Sequence, residues 1–123
     1  MDKLERIFEM QAAFNREIAE TRHLERVTDD EWLQRFAMAT FAELGEMLAG
    51  TNFKWWKNPK PTDAEYVKEE IVDILHFFVS LAIASGMDAD ELFRRYCLKN
   101  RENLDRQHGK SQKPGYDIHE LES

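Results

Sequence analysis

Two pairs of acidic residues, each pair three residues apart, are the groups of this sequence best suited to chemistry. They are Glu43 and Glu46 in the segment FAELGEMLAG, and Glu70 and Asp73 in the segment EEIVDILHFF. Residues three apart lie on one face of a helix, so each pair directs its carboxylates the same way. Apolar residues precede and follow each pair at helical spacing, which predicts that all four side chains face the interior.

A cluster of four inward carboxylates predicts a metal site. Without a cation the like charges would repel one another, and some of the acids would stay protonated. Carboxylate oxygens are ligands that Mg²⁺ and Mn²⁺ prefer, and Mg²⁺ commonly takes substrate phosphates as further ligands. We therefore expect Mg²⁺, with Mn²⁺ as the alternative, at Glu43, Glu46, Glu70 and Asp73. The opposing interpretation, surface acids favoured by the helix dipole, suits Glu69 better than Asp73, which lies deeper in its helix among apolar residues.

Cations and amides near the end of the chain are candidates for phosphate and base binding. Lys99, Asn103 and Arg106 recur at i, i+4 and i+7, so they lie on one helix face. A guanidinium matches phosphate oxygens bidentately, which makes this face a phosphate site if it meets the acids. The loop NFKWWKN adds Lys57 as a further cation and Trp55, whose indole either caps the core or stacks on a base or sugar.

Two polar residues interrupt apolar faces of the predicted helices. Gln11 lies in the apolar stripe of the first helix, and an inward amide needs hydrogen-bond partners. It could bind the edge of a base or tie two helices together, and the sequence does not choose between these roles. His76 follows Asp73 by three residues, and we interpret it as a hydrogen-bonding partner of another helix or a support for the metal ligands.

Capping signals divide the chain into four helical segments. Three boxes pair an N-cap residue with an acid three residues later, namely Thr28-x-x-Glu31, Thr62-x-x-Glu65 and Asp88-x-x-Glu91. Apolar residues recur between them at helical spacing, and no alternating strand pattern competes. We predict helices near 2–24, 29–49, 63–85 and 89–108, with Gly50 and Gly86 as stop signals. The short connections predict an all-α fold, an antiparallel four-helix bundle.

The length of 123 residues predicts one domain, which we place at 1–109, followed by a tail at 110–123. The tail is rich in Lys, Ser, Pro and Gly, so we expect it to be mobile. A four-helix subunit of this kind leaves apolar faces uncovered, with Phe78, Val79 and Ile83 as candidates. We therefore expect at least a homodimer, with a homotetramer as the larger alternative.

The charge balance argues against two classes of partner. There are 17 Lys and Arg residues against 24 Asp and Glu residues, a formal net charge of -7, whereas duplex nucleic acids and anionic membranes require a basic face. The longest apolar run, Ile71 to Ala84, is shorter than the ~20 residues that span a bilayer.

The single cysteine, Cys97, excludes an intramolecular disulfide and is expected to be a buried apolar residue. These features predict a cytoplasmic protein.

Together the motifs resemble the all-α nucleoside triphosphate pyrophosphohydrolases, and within them the dimeric dUTPase family. The resemblance is carried by FAELGEMLAGTNFKWWKNPKP, EEIVDILHFFVSLAIASG and YCLKNRENLDRQHG, and it covers nearly all of 32–109. The paired acids are shared by the whole MazG-like superfamily. The dUTPases within it are favoured by three features. They are the loop with Phe53, Lys54 and Trp56, the VDILHF run, and the helix that contains Lys99 and Asn100.

The resemblance implies Mg²⁺-dependent hydrolysis of dUTP to dUMP and diphosphate, with the metal held by the four acids. The further residues that it implies are Lys99, Arg106 and Lys57 for phosphate, Phe77 and Trp55 for the nucleoside, and Asn103 and Gln11 for the base. The nearest alternative is a MazG-like hydrolase of another or several deoxynucleotides, such as dCTP. A second alternative is a metal-binding helical interaction module without catalysis.

Overall fold

The computed structural model describes residues 1–110, and within them the chain forms four α-helices and no strand. The helices are α1 (Lys3–Thr21), α2 (Asp29–Ala49), α3 (Ala64–Ala84) and α4 (Ala89–Gln107). The predicted all-α class is therefore confirmed for this part of the chain. The predicted tail at 110–123 lies outside the described residues except for Lys110. Two compact units divide the chain: the first, 1–88, holds α1 to α3, and the second begins at Ala89 and holds α4.

Side-chain caps explain where α2 and α3 begin. The Thr28 hydroxyl oxygen accepts a hydrogen bond from the Glu31 amide at 3.2 Å, and the same hydroxyl donates to Glu31 Oε1 at 3.3 Å. The predicted box at the start of α2 is thereby confirmed. The cap of α3 is Asp63, whose Oδ1 accepts from the Tyr66 amide at 3.1 Å. The prediction of Thr62 was wrong by one residue, because a carboxylate competes well for the same cap position.

α1 has a cap and an end that differ from the prediction. Asp2 caps its start by accepting from the Glu5 amide at 2.8 Å, a signal that the sequence analysis did not use. The helix ends at Thr21 rather than near residue 24, because His23 adopts a positive φ of 57°. A residue in this left-handed conformation cannot continue a right-handed helix.

Gly50 and Tyr66 fix the C-terminal end of α2 against the N-terminal end of α3. A Cβ at Gly50 would lie 2.7 Å from Cδ1 of Tyr66, so only glycine permits this approach. The Tyr66 hydroxyl donates to the Glu46 carbonyl at 2.9 Å, and the Asp63 amide donates to the Gly50 carbonyl at 3.0 Å. These contacts bring together the two helix halves that carry the paired acids.

α3 is the central helix of the first unit, because it packs along α2 and also contacts α1. Val79 and Ala82 of α3 and Phe8 of α1 form the most buried apolar positions of this unit. Val79 is 1% exposed, so the expectation that it lies on an uncovered face was wrong. α3 is apolar on several faces, and its packing against α2 and α1 decides which of them is covered. Phe78 is 46% exposed, as expected.

Cys97 of α4 is exposed, and the prediction of a buried residue was wrong. The buried residues of α4 are Ala89 and Arg106, which lie near its two ends, whereas Cys97 lies in its middle. By length and composition, no single helix among residues 1–110 could span a membrane.

Candidate functional site

Three of the four predicted metal ligands come together where α2 meets α3. One carboxylate oxygen from each of Glu43, Glu46 and Glu70 lies within 4.8 Å of the other two, and we name these three residues the acid cluster. Asp73 is not a member of this set. It lines the same cavity as Glu43, so the fourth predicted ligand stands beside the acid cluster.

The burial of the four acids is uneven. Glu70 is buried and Glu43 is half-buried, as an inward orientation requires, whereas Glu46 and Asp73 are exposed. The prediction that all four face the interior was therefore wrong for one member of each pair. Residues three apart on a helix differ by about 60° around its axis, so a narrow buried stripe can hold one member while the other lies at its margin.

Mutual repulsion and burial alter the acid–base behaviour of the acid cluster. The pKa of Glu43 is raised from its ordinary value of 4.5, first by a hydrogen bond that it shares with the Glu70 carboxyl, then by burial and by the charges of Glu70 and Asp73. A hydrogen bond with Glu46 opposes this rise. Two carboxyls can share a hydrogen bond only through a proton, so Glu43 retains one more readily than a free glutamate does.

The phenol of Tyr66 responds to the same charges. Burial raises its pKa above the ordinary value of 10.0, and the Glu70, Glu46, Glu43 and Asp63 carboxylates add to the shift. The phenol therefore stays protonated and keeps its hydrogen bond to the Glu46 carbonyl.

Two buried oxygens of the acid cluster fit a divalent cation. Oε2 of Glu43 and Oε2 of Glu70 are buried and have no hydrogen-bond partner among residues 1–110. Leaving a buried acceptor without a partner is costly, and here the acceptors also repel one another. Glu43 and Glu70 would hold a hard cation such as Mg²⁺ or Mn²⁺, whose charge would offset the repulsion, and an all-carboxylate donor set matches its ligand preference.

A cavity of about 720 Å³ adjoins the acids within the first unit. Residues of α1, α2 and α3 line it, among them Phe36, Glu43, Asp73, Phe77 and Ile83. Its volume falls within the roughly 300–1,000 Å³ of small-molecule sites. Aromatic faces next to carboxylates suit a ligand with a planar ring and an anionic part that a cation could hold. The structure thus places the predicted nucleoside contact Phe77 beside the predicted metal ligands.

A connected set of polar side chains forms another part of the cavity wall. Gln11, Asn15, His76 and Ser80 join α1 to α3 through hydrogen bonds, and we name these four residues the amide chain. Gln11 is 6% exposed and ties the two helices together, while it also lines the cavity. His76 bonds a residue of another helix, so that interpretation is confirmed.

The sequence analysis missed Asn15 and Ser80. Each stands four residues after another polar member of the amide chain, Asn15 after Gln11 and Ser80 after His76. This i, i+4 spacing of polar residues on otherwise apolar faces was the available signal.

The predicted ligands in the loop after α2 are not among the residues that line the large cavity. Trp55 is 84% exposed and meets Trp56 edge to face at 5.6 Å, so it does not cap the core. Lys57 lines a separate cavity of about 340 Å³ formed within residues 45–60. The structure does not bring either predicted ligand into the wall of the large cavity.

The remaining predicted ligands lie on α4, in the second unit. Glu102 holds both cations there: Arg106 Nη2 lies 2.6 Å from Glu102 Oε1, and Lys99 Nζ lies 3.7 Å from Glu102 Oε2. Arg106 is buried, whereas Lys99 and Asn103 are exposed. Phosphate binding by the cations and base binding by Asn103 stay predictions.

Known proteins share sequence with this chain. A family model described as dUTPase matches residues 3–88, which corresponds to the first unit. A protein named dCTP pyrophosphatase from Enterobacteria phage T4 is 33% identical over 91 residues, 64% of this chain and 53% of the relative. A dCTP pyrophosphatase from Enterobacteria phage LZ5 is 39% identical over 75 residues, 51% of this chain and 44% of the relative.

A third relative, named DNA replication protein, from Enterobacteria phage T4, is 32% identical over 88 residues, 62% of this chain and 22% of the relative. The chain thus spans about half of the length of the two pyrophosphatases and less of the third protein. No solved structure matches.

Proposed function

The chain belongs to the dUTPase family, and from this premise we propose that it hydrolyses a pyrimidine deoxynucleoside triphosphate to the monophosphate and diphosphate with the help of Mg²⁺. The observation that carries the proposal is the acid cluster beside a cavity lined by Phe77 and Gln11. A triphosphate offers the oxygens that complete the coordination of Mg²⁺, and a base offers the planar ring that the cavity suits.

The acids hold the cation in the proposed site. Glu43, Glu46 and Glu70 would be its ligands, and Asp73, which lines the same cavity as Glu43, is proposed as the fourth. Bound Mg²⁺ supplies neutralisation of phosphate charge and activation of a water for in-line attack. Because metal ligands must be ionised, a bound cation would oppose the rise in the pKa of Glu43.

The base lies in the cavity next to Phe77 in this proposal. Phe77 is half-buried and offers a ring face for stacking, and Gln11 offers an amide to the edge of the base. Lys57, Lys99 and Arg106 are proposed for the phosphates. Trp55 and Asn103 are proposed as further contacts of the nucleoside.

Two substrates are favoured by different observations. The description of the matching family favours dUTP, and the names of the two phage relatives favour dCTP. The bases differ at position 4, where uracil has a carbonyl acceptor and cytosine an amino donor, and at N3, which carries a hydrogen only in uracil. Hydrogen-bond polarity in the cavity therefore decides between them.

A second copy of the chain is the proposed partner. Large apolar side chains of α2 and α3 are exposed, namely Met38 at 64%, Phe41 at 75%, Ile71 at 51% and Phe78 at 46%. Exposed apolar side chains of this size on the two packed helices favour an interface, and identical chains commonly associate as twofold dimers. Sedimentation equilibrium separates monomer, homodimer and homotetramer, and a monomer at all concentrations would contradict this part.

The proposed activity is tested by diphosphate release from dUTP, dCTP, dTTP, dATP and dGTP, each with Mg²⁺ and with EDTA. A Mg²⁺-dependent preference for dUTP or for dCTP supports the proposal and identifies the base. Comparable turnover of all five nucleotides would contradict pyrimidine selection and favour a MazG-like hydrolase of several substrates. If none of the five nucleotides were hydrolysed, the proposal would be contradicted and the non-catalytic metal-binding module would be favoured.

A further inference from the structure

Ser80 fixes which atoms donate and which accept hydrogen bonds along the amide chain, and we call this order the direction of the chain. This side chain is 1% exposed, and its hydroxyl donates to the backbone carbonyl of His76 at 2.7 Å. A carbonyl oxygen can only accept, so the single hydroxyl hydrogen is committed to this bond. Ser80 Oγ can therefore only accept from its other neighbour in the amide chain.

The direction passes from Ser80 through two amides. Nδ2 of Asn15 donates to Ser80 Oγ at 3.0 Å, so Asn15 Oδ1 faces the side-chain amide of Gln11. Nε2 of Gln11 donates to that oxygen at 2.9 Å, and Oε1 of Gln11 therefore faces His76 Nδ1. Reversing either amide would place acceptor against acceptor or donor against donor, and a buried mismatch of this kind is costly.

The chain of bonds ends by fixing the tautomer of His76. Oε1 of Gln11 is an acceptor, so His76 Nδ1 must carry the hydrogen. In the neutral ring Nε2 is then a lone-pair acceptor, and residues 1–110 provide no hydrogen-bond partner for it. His76 is exposed and lines the large cavity, so this acceptor is available to a ligand there.

We propose that Ser80 is a positioning residue for base selection, because it fixes His76 through Asn15 and Gln11 so that His76 Nε2 accepts a hydrogen bond from an N–H group of the base. This inference rests on the proposed function. The N–H is either N3–H of uracil or the 4-amino group of cytosine. Ser80 lines the cavity but is only 1% exposed, and its single hydroxyl hydrogen is committed to the His76 carbonyl, so it acts on the base through His76.

The tautomer is measured without nucleotide or metal, by the ¹⁵N resonances of the imidazole rings in the 123-residue chain at a pH where the rings are neutral. His76→Asn identifies the His76 signals among those of the four histidines. We expect the Nδ1–H tautomer in the unaltered protein. We expect Ser80→Ala to shift at least about half of the population to the Nε2–H tautomer, because the amides are then free to reverse.

Thr40→Val is the matched control. The Thr40 hydroxyl also donates to the carbonyl four residues earlier, that of Phe36 at 2.7 Å, but it has no place in the amide chain. This variant should leave the His76 signals unchanged. An Nε2–H tautomer in the unaltered protein, or an unchanged tautomer in Ser80→Ala, would overturn the proposal.

A double variant tests whether Ser80→Ala changes the His76 tautomer through the donor–acceptor order of the amide chain or through general disturbance of the structure. A carboxylate can only accept, so in Ser80→Ala combined with Asn15→Asp the introduced acid again accepts from Gln11 Nε2. We expect this combination to restore the Nδ1–H tautomer that Ser80→Ala alone loses. Failure of the restoration would mean that Ser80→Ala disturbs His76 by a route other than the amide chain, and would overturn the proposal.

Base selection is measured as the ratio of kcat/KM values for dUTP and dCTP. We expect Ser80→Ala to move this ratio about tenfold toward one, since a site loses discrimination when a fixed acceptor can become a donor. Thr40→Val should keep the ratio. A changed tautomer with an unchanged ratio would overturn the role in base selection. If the unaltered protein hydrolysed no nucleotide, the proposed function and base selection would both fail, while the imidazole spectra would still decide whether Ser80 fixes His76.

Discussion

The acid cluster and the amide chain are both sets of buried or partly buried polar atoms in the first unit, but they differ in how those atoms are satisfied. Each member of the amide chain has a partner of opposite hydrogen-bonding sense. The acid cluster is made of three carboxyl groups, and Oε2 of Glu43 and Oε2 of Glu70 lack partners among the described residues. Buried polar groups in proteins are nearly always paired, so the unpaired oxygens of the acid cluster indicate where a ligand belongs, and the paired side chains of Gln11, Asn15 and Ser80 indicate where geometry is fixed.

The largest effect should come from removing one charge of the acid cluster. Glu46→Gln should lower kcat/KM for the preferred nucleotide at least about 10³-fold, roughly 4 kcal/mol of transition-state stabilisation, because one ligand of the cation is lost. Diphosphate release with Mg²⁺ measures the effect. Glu69→Gln is the control, since Glu69 is an exposed acid outside the cluster. Equal losses in the two variants would show that the acid cluster does not hold the catalytic cation.

Cation binding should also stabilise the fold, because only the folded chain brings the three acids together. Mg²⁺ at 100 times its dissociation constant should add about 2.7 kcal/mol to the free energy of unfolding. A thermal unfolding scan with Mg²⁺ and with EDTA measures the shift in Tm. Glu46→Gln should lose most of the shift and Glu69→Gln should keep it. A shift that is the same in all three proteins would mean that Mg²⁺ binds elsewhere.

Removal of a polar group from the amide chain should destabilise the metal-free protein. Gln11→Ala leaves His76 Nδ1 and Asn15 Oδ1 without their partners, and it should lower the free energy of unfolding by about 2 kcal/mol. Urea denaturation of the metal-free protein measures this loss. Gln34→Ala removes an amide whose bond to Asp30 is exposed, and it should change stability by less than about 0.5 kcal/mol. Equal effects of the two variants would contradict a structural role for the amide chain.

The contrast between the two sets also shows what the sequence could predict. Local signals were sufficient to predict four helices, though not every helix end, because a cap such as Thr28 and the spacing of apolar residues act within a few residues. The acid pairs were visible for the same reason, since i, i+3 neighbours share a face whatever the rest of the fold does. An amide in an apolar stripe, Gln11, correctly predicted a buried polar contact.

The rest depended on how the helices are rotated against one another. Which acid of each pair is buried follows from the contact of α2 with α3, which no local pattern specifies. Asn15 and Ser80 bond across α1 and α3 over 65 positions of sequence, so neither helix alone reveals the pair. Val79 was assigned to an uncovered face because α3 is apolar on several faces, and only packing shows that it is buried.

The smallest effect that sharpens the comparison is a pH dependence of stability in the metal-free protein. The pKa of Glu43 is raised in the folded chain, so above about pH 4.5 the unfolded chain ionises this group first and the folded chain binds more protons. The free energy of unfolding should therefore fall as pH rises from 4.5 until the raised pKa is passed, and then level off. Below that window Glu43 is protonated in both the folded and the unfolded chain, so it adds no pH dependence to the free energy of unfolding.

Glu43→Gln should remove this contribution, because an amide does not titrate and does not repel Glu70. Urea denaturation in EDTA across the pH window should give a flatter profile and a higher stability at neutral pH for Glu43→Gln, whereas Glu69→Gln keeps the slope of the unaltered protein. Addition of Mg²⁺ should reverse the slope in the unaltered protein, since the cation binds the ionised acids and so gains affinity as pH rises. A Glu43→Gln protein that is less stable than the unaltered one in EDTA would place the acid cluster in the same class as the amide chain, as a set of groups whose partners are already within the fold.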